Sequence, residues 1–240
     1  MCGRSLSVLT NFSREALAFH FQPEMLDFMM QIRLNNNKAF MDANRAEYVE
    51  KVREPYYEFI EALTPAALDI DPRMEVQPSK VLSRIFRDTR FSRDKSPYRD
   101  HHWLAFRHEG EPREKALMLW FEIRMESVSW GMGFWGDNRP AMDILRRRML
   151  ANPGELVTLS DNLRKCDFLL AGENFKRLAI PDELDQRLLP WYTRKELLLI
   201  RQNINPRWVF EPGIAKRLAD DFMALKPMYQ LLRGCFELAM

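Results

Sequence analysis

The sequence predicts an α+β fold, a mainly antiparallel sheet flanked by helices, with a helical N-terminal region and a helical C-terminus. Two observations lead there. Apolar residues recur at helical spacing over much of residues 23–63 and 214–238, whereas residues 103–134 alternate or run as short apolar stretches joined by turns. Nothing helical separates those stretches, and strands linked by short turns pair antiparallel.

The first helix is expected from Pro23, with Met25, Leu26, Phe28, Met29 and Ile32 on its apolar face and Pro in its first turn. Asn35-Asn36-Asn37 should end it, because asparagine side chains compete for backbone groups in helix interiors but suit turns and caps. From Lys38, the residues Phe40, Met41, Tyr48, Val49 and Val52, then Tyr56, Phe59, Ile60 and Leu63, mark a helical pair that bends or restarts at Pro55. Between Thr64 and Pro78 periodicity is lost among prolines, and a helix-to-sheet changeover is expected. Trp103, Ala105 and Arg107 then alternate with Leu104, Phe106 and His108, and Leu117–Ile123 and Val128–Phe134 follow as strands. Glu109-Gly110-Glu111-Pro112 reads as a turn. Helices are expected over 138–150 and 153–164, returns to the sheet at 168–171 and 197–200, and a terminal helical region over 214–238 interrupted at Pro227.

A single compact domain is expected, divided into a leader (1–22), a helical region (23–75), a sheet-rich core with a basic loop (78–135) and a helix-rich remainder (138–240). Hydrophobic residues at 46% and charged residues at 29% match an ordinary globular chain and argue against disorder. A formal net charge of +2 provides no global basic field for nucleic acid. No apolar run approaches the roughly 20 residues that span a bilayer, so no membrane association is expected. Cys2, Cys166 and Cys235 are odd in number and too widely spaced for a zinc pair or a disulfide framework, and the N-terminus lacks a secretory pattern, which together suggest a cytoplasmic protein.

The densest chemistry lies between Arg84 and His102, where six basic and three acidic residues are interleaved with aromatics. Arginine presents a planar fork suited to phosphate or carboxylate, and serines and turn N–H groups complete an anion cradle. The candidate ligand-binding residues are therefore Arg84, Arg87, Asp88, Arg90, Ser92, Asp94, Lys95, Tyr98 and Arg99, with Phe86, Phe91 and Tyr98 available for stacking. The competing reading is structural: Arg87 with Asp88 and Asp94 with Lys95 as ion pairs that fix a loop. Asn36, Asn37, Asn44 and Arg45 form a second candidate, since Phe40, Asn44 and Tyr48 share one helical face; the structural alternative is that Asn37 caps the helix and Asn44 bonds nearby backbone.

The run Arg84-Ile85-Phe86-Arg87-Asp88-x-Arg90-Phe91-Ser92-x-Asp94-Lys95-x-Pro97-Tyr98, together with Asn36-Asn37-x-x-Phe40-x-x-Asn44-Arg45-x-x-Tyr48, resembles the family of conserved hypothetical proteins called domain of unknown function 2461. The resemblance implies an α+β fold and supplies no mechanism, because the family has no established activity to carry over.

Other motifs carry less. Gly131-Met132-Gly133-Phe134-Trp135-Gly136 matches G-x-G-x-x-G, but that fingerprint belongs to a parallel βαβ unit, so a strand bulge or close backbone packing is the expected role. His101 and His102 are adjacent and would point to opposite faces of a strand, so no metal site is expected. Met1-Cys2-Gly3-Arg4 resembles the start of abasic-site-processing proteins without their accompanying motifs, and Cys2 is read as incidental. No cofactor is expected. The leading expectation is a small anionic ligand, with two alternatives: an enzyme using Asp88 or Asp94 beside Arg or Lys, or a nucleic-acid or protein interaction module. Protein partners are left open.

Overall fold

A computed structural model describes residues 18–113 and 115–239; Cys2 and its neighbours lie outside them. The helical region opens with α1 (Pro23–Leu34), which buries Met25, Phe28, Met29 and Ile32 and has Pro in its first turn. Asn37 then caps α2 (Lys38–Ala43), its side chain accepting the Phe40 N–H at 2.9 Å. A short α3 (Arg45–Tyr48) and a π turn (Val49–Arg53) lead into α4 (Glu54–Ile70), which has Pro55 in its first turn.

Two prolines behave differently from expectation. Helix α4 continues through Pro65, and the terminal helix runs unbroken through Pro227. A proline inside a helix removes one hydrogen bond and crowds the preceding turn. Here the apolar face continues on both sides, with Leu63, Ala66, Ala67 and Ile70 buried around Pro65 and Leu225, Met228, Tyr229, Leu231 and Leu232 around Pro227. Burial of those side chains outweighs the local backbone penalty.

After α5 (Pro78–Val81) come β1 (His102–Phe106), β2 (Met118–Ile123) and β3 (Val128–Phe134), then α6 (Arg139–Ala151) and α7 (Pro153–Lys165). Next follow β4 (Leu169–Ala171), α8 (Leu189–Tyr192), β5 (Leu197–Ile204) and α9 (Ile214–Glu237). The strands form one sheet of order β1-β2-β3-β5-β4 in which every pairing is antiparallel, confirming the α+β fold.

Register divides the sheet into two faces. Leu104 opposite Phe121, Phe106 opposite Leu119, and Met132 opposite Leu199 turn inward, where α4, α9 and α6 cover them in one large core that also takes in Phe21. The stretch read as a leader thus reaches the core, and Phe21 also donates its N–H to Val209 O. The opposite face carries the row Ala105, Trp120, Gly131 and Ile200 and the row Trp103, Glu122 and Ser129. Ala105, Ala116, Met118 and Trp120 form a separate small cluster there, with Trp103, Trp135 and Ile200 against it.

The G-x-G-x-x-G stretch lies at the β3–β5 seam. A Cβ at Gly131 would collide with the Leu199 carbonyl oxygen and one at Gly133 with that of Leu197, and Gly133 has φ of +145°. Close approach of the β5 backbone, not phosphate binding at a helix N-terminus, explains these glycines. Cys235 is buried and free, whereas Cys166 is disulfide-bonded, so the wide spacing of the cysteines does not keep Cys166 out of a disulfide, contrary to expectation. Among the described residues no helix is long and apolar enough to cross a membrane.

Candidate functional site

The basic segment is an irregular hairpin leaning on the edge of the sheet. Leu82 bridges Leu104 of β1, and Ser83 donates its N–H to Trp103 O at 2.8 Å, so the hairpin starts from a fixed base. Its two arms pair through Arg87 N–H to Pro97 O at 2.9 Å and Arg99 N–H to Ile85 O at 2.8 Å, flanking a Phe86–Tyr98 bridge. Strand-like alternation buries Ile85 and Tyr98 and turns Arg84 and Phe86 outward.

Side chains then fix the tip. Arg87 pairs with Asp94, Asp88 with Arg90, and Lys95 donates to Thr89 O at 2.9 Å. These are different partners from the Arg87–Asp88 and Asp94–Lys95 pairs of the structural alternative. Arg90 holds the Asp88 carboxyl at about 2, and Ser96 and Arg87 hold Asp94 well below the usual carboxylate range. Asn36 clamps the hairpin from the helical side: its Nδ2 donates to Tyr98 O and its Oδ1 accepts the Tyr98 N–H, both at 2.9 Å.

Between this hairpin, α5 and the turn after β1 lies an open cleft of about 840 Å³. Lys80, Arg84, Arg87, Arg90, Arg99, Arg107 and Arg113 line it, against the carboxylates Glu75, Asp88 and Glu109. Most of these cations are engaged. Lys80 bridges Glu75 and Glu109 at 2.8 and 2.6 Å, Arg87 and Arg90 hold the tip, and Arg107 donates to the Glu111 carbonyl at 2.8 Å.

Arg84 and Arg99 have no side-chain hydrogen bond or ion pair among the described residues. Arg84 is exposed, but Arg99 is half-buried with its Nε wholly buried and unpartnered. Burial and the nearby Arg87 lower the Arg99 pKa, and Arg124 adds to the repulsion while Glu122 opposes it. A buried guanidinium N–H is costly to leave without an acceptor.

Of the residues singled out from sequence, the cleft gathers Arg84, Arg87, Asp88, Arg90 and Arg99. Ser92, Asp94, Lys95 and Tyr98 lie outside its lining, Asp94 and Lys95 within the hairpin's own bonds and Tyr98 between its bridge to Phe86 and the Asn36 side chain. Asn36 supports the hairpin, Asn44 donates to Phe40 O at 2.8 Å, and Arg45 is exposed on α3; none of the three lines the cleft. Lys80, Arg107 and Arg113 were not singled out, because they come from separate segments that tertiary links such as the Met74–His108 and Leu82–Leu104 bridges bring to the hairpin.

His102 is buried, its Nε2 lying 3.1 Å from Tyr48 Oη and its Nδ1 3.1 Å from Ser83 Oγ. Burial depresses its pKa to about 3, so the imidazole is neutral and ties the helical region to the hairpin base. Among the described residues no group of three or more His, Cys, Asp or Glu side chains is placed to hold a metal ion.

A second concavity of about 580 Å³ lies on the outer face of the sheet. Trp103, Trp120 and Trp135 line it with Leu198 and Ile200, and Glu122, Arg124, Ser129, Gln202 and Asn203 supply polar groups. Alternation alone places Trp103 and Trp120 on the face opposite the core, a signal visible in the sequence but not read as a site.

An antiparallel sheet backed by helices on one face, with a basic hairpin at its edge, defines an α+β protein built around a surface cleft. The chain belongs to the conserved hypothetical protein family DUF2461, whose family model matches residues 24–231. No curated protein matches it.

Proposed function

We propose that the protein binds a small anionic, phosphate-bearing ligand in the cleft between the basic hairpin and the turn after β1. Arg99 carries the reading. Its guanidinium is held in the cleft by the hairpin ladder, its Nε is buried without an acceptor among the described residues, and Arg84, likewise unpaired among them, opens into the same space. A phosphate accepting from both would replace solvent at Arg84 and satisfy the buried donor of Arg99. The ion pairs at the tip support this reading as well as the structural one, because they fix the frame that holds Arg99.

The enzymatic alternative has less behind it. Asp88 is a poor proton acceptor at neutral pH with its carboxyl held at about 2, and Asp94 is already committed to Ser96 and Arg87. An extended nucleic-acid interface is disfavoured by the net charge of +2.

Thermal unfolding of the parent protein, Arg99→Gln and Arg84→Gln with inorganic phosphate and sugar phosphates tests the reading. At about 100 times its dissociation constant a ligand should stabilise the parent by roughly 2.7 kcal/mol, a rise of several degrees in midpoint for a chain of this size. Both variants should fold and lose that rise. An undiminished rise in Arg99→Gln, or no rise with any phosphorylated compound, overturns the proposal.

A further inference from the structure

We infer that the cleft and the tryptophan-lined groove are two halves of one site, and that its ligand is a nucleotide-class molecule, a planar heteroaromatic ring joined to a phosphate. This rests on the anion reading of the cleft and extends it.

The two concavities meet at Arg113, which lines both and places its guanidinium 4.3 Å from the centre of the Trp103 ring. A second link is electrostatic. Arg99 in the cleft is within range of Glu122 and Arg124, both of which line the groove. An anion held at Arg99 and Arg84 therefore has the groove as its neighbour along the sheet.

The groove itself matches a heteroaromatic ring better than a hydrocarbon or a bare sugar. Trp120 and Trp135 sit with ring centres 5.8 Å apart, and Gly131 between Trp120 and Ile200 contributes no side chain to the floor. Flat indole surfaces favour stacking on a planar ring. Around them the amides of Gln202 and Asn203 offer both donors and acceptors, as the edge of a nucleobase requires, beside a Glu122 carboxylate whose two oxygens are held by Arg124 at 2.8 Å.

Trp120 adds an independent observation. It is only 5% exposed, yet its Nε1–H finds no acceptor among the described residues. Buried indole N–H groups are normally satisfied, and a ring nitrogen or carbonyl oxygen of a ligand entering the groove would supply what is missing.

Calorimetric titration of the parent, Trp135→Ala, Trp120→Phe and Arg99→Gln with ribonucleoside 5′-monophosphates, the matching nucleosides and ribose 5-phosphate decides the matter. Far-UV circular dichroism confirms that each variant is folded, and Trp120→Phe guards against a structural effect of Trp135→Ala. At least one nucleotide should bind the parent about tenfold or more tighter than ribose 5-phosphate, the scale of one stacked base. Trp135→Ala should erase that preference while keeping ribose 5-phosphate binding, Trp120→Phe should reduce it, and Arg99→Gln should weaken both phosphates.

If nucleotides and ribose 5-phosphate bind equally, with the same dependence on Arg99, the inference falls and the anion cleft stands. If nothing phosphorylated binds, both fall. Nucleoside binding that depends on Trp135 but not on Arg99 removes the joined site, as does binding of a single-stranded oligonucleotide where every mononucleotide fails.

Discussion

Asp71 shows how a single carboxylate ties distant parts of the chain together. It is buried, with His108 Nε2 at 2.6 Å, Tyr229 donating at 3.4 Å and the Arg73 N–H at 3.0 Å, while Arg233, itself buried, pairs with Glu111 at 2.6 Å beside it. Burial alone would push the Asp71 carboxyl up, but the Arg73 N–H, His108 and the Arg73 side chain outweigh it and hold it at about 2. A carboxylate whose folded pKa is depressed contributes stability that is present above its unfolded value near 4 and lost as pH falls through about 2. Asp71→Asn should cost about 3 kcal/mol near neutral pH, the scale of a broken buried ion pair. Urea titrations at stepped pH should then show the gap to the parent narrowing between about pH 5 and pH 2. A gap independent of pH would mean that Asp71 acts through shape and not charge.

At the scale of elements, the hairpin depends on support from outside itself. Its ladder is short, and Asn36 supplies two of the bonds that hold Tyr98 in register. Asn36→Ala should lower stability by about 1–2 kcal/mol, from two hydrogen bonds at roughly 1 kcal/mol each. The effect should be local, so hydrogen exchange of the Arg87 and Arg99 amides should accelerate more than that of β2 or β3. Equal acceleration throughout would assign Asn36 to global stability instead. The sequence made this partnership visible only as two motifs in order; their meeting across the fold was not readable, since no local periodicity links Asn36 to Tyr98. The strands were legible because alternation and turns are local signals. Pro65 and Pro227 misled for the converse reason: proline's penalty is local, whereas the buried faces that override it are tertiary.

Over the whole molecule, the core runs without interruption from Phe21 to Phe236 and unites helices from both ends of the chain against one face of the sheet. We propose from that continuity that the chain unfolds as one cooperative unit. Urea unfolding followed by far-UV circular dichroism and by tryptophan fluorescence should therefore give coincident midpoints. Separate midpoints would divide the chain into more than one cooperative unit. The candidate site was only half legible at this scale. Residue types marked the basic hairpin, but the opposite wall of the cleft and the groove beyond it arise from strand register, which composition does not encode.

The glycine seam of β3 has a consequence for how such a surface changes over generations. Elsewhere on a sheet, recognition is readily retuned by exchanging one small side chain for another. At Gly131 and Gly133 that route is closed, because any added carbon meets the backbone of β5. The strip between Trp120 and Ile200 is thus fixed by the main chain, and retuning falls to the side chains that line the groove around it, Trp135, Gln202 and Asn203 among them. A chain built on this sheet would keep that bare strip and change what it admits through the side chains on either side.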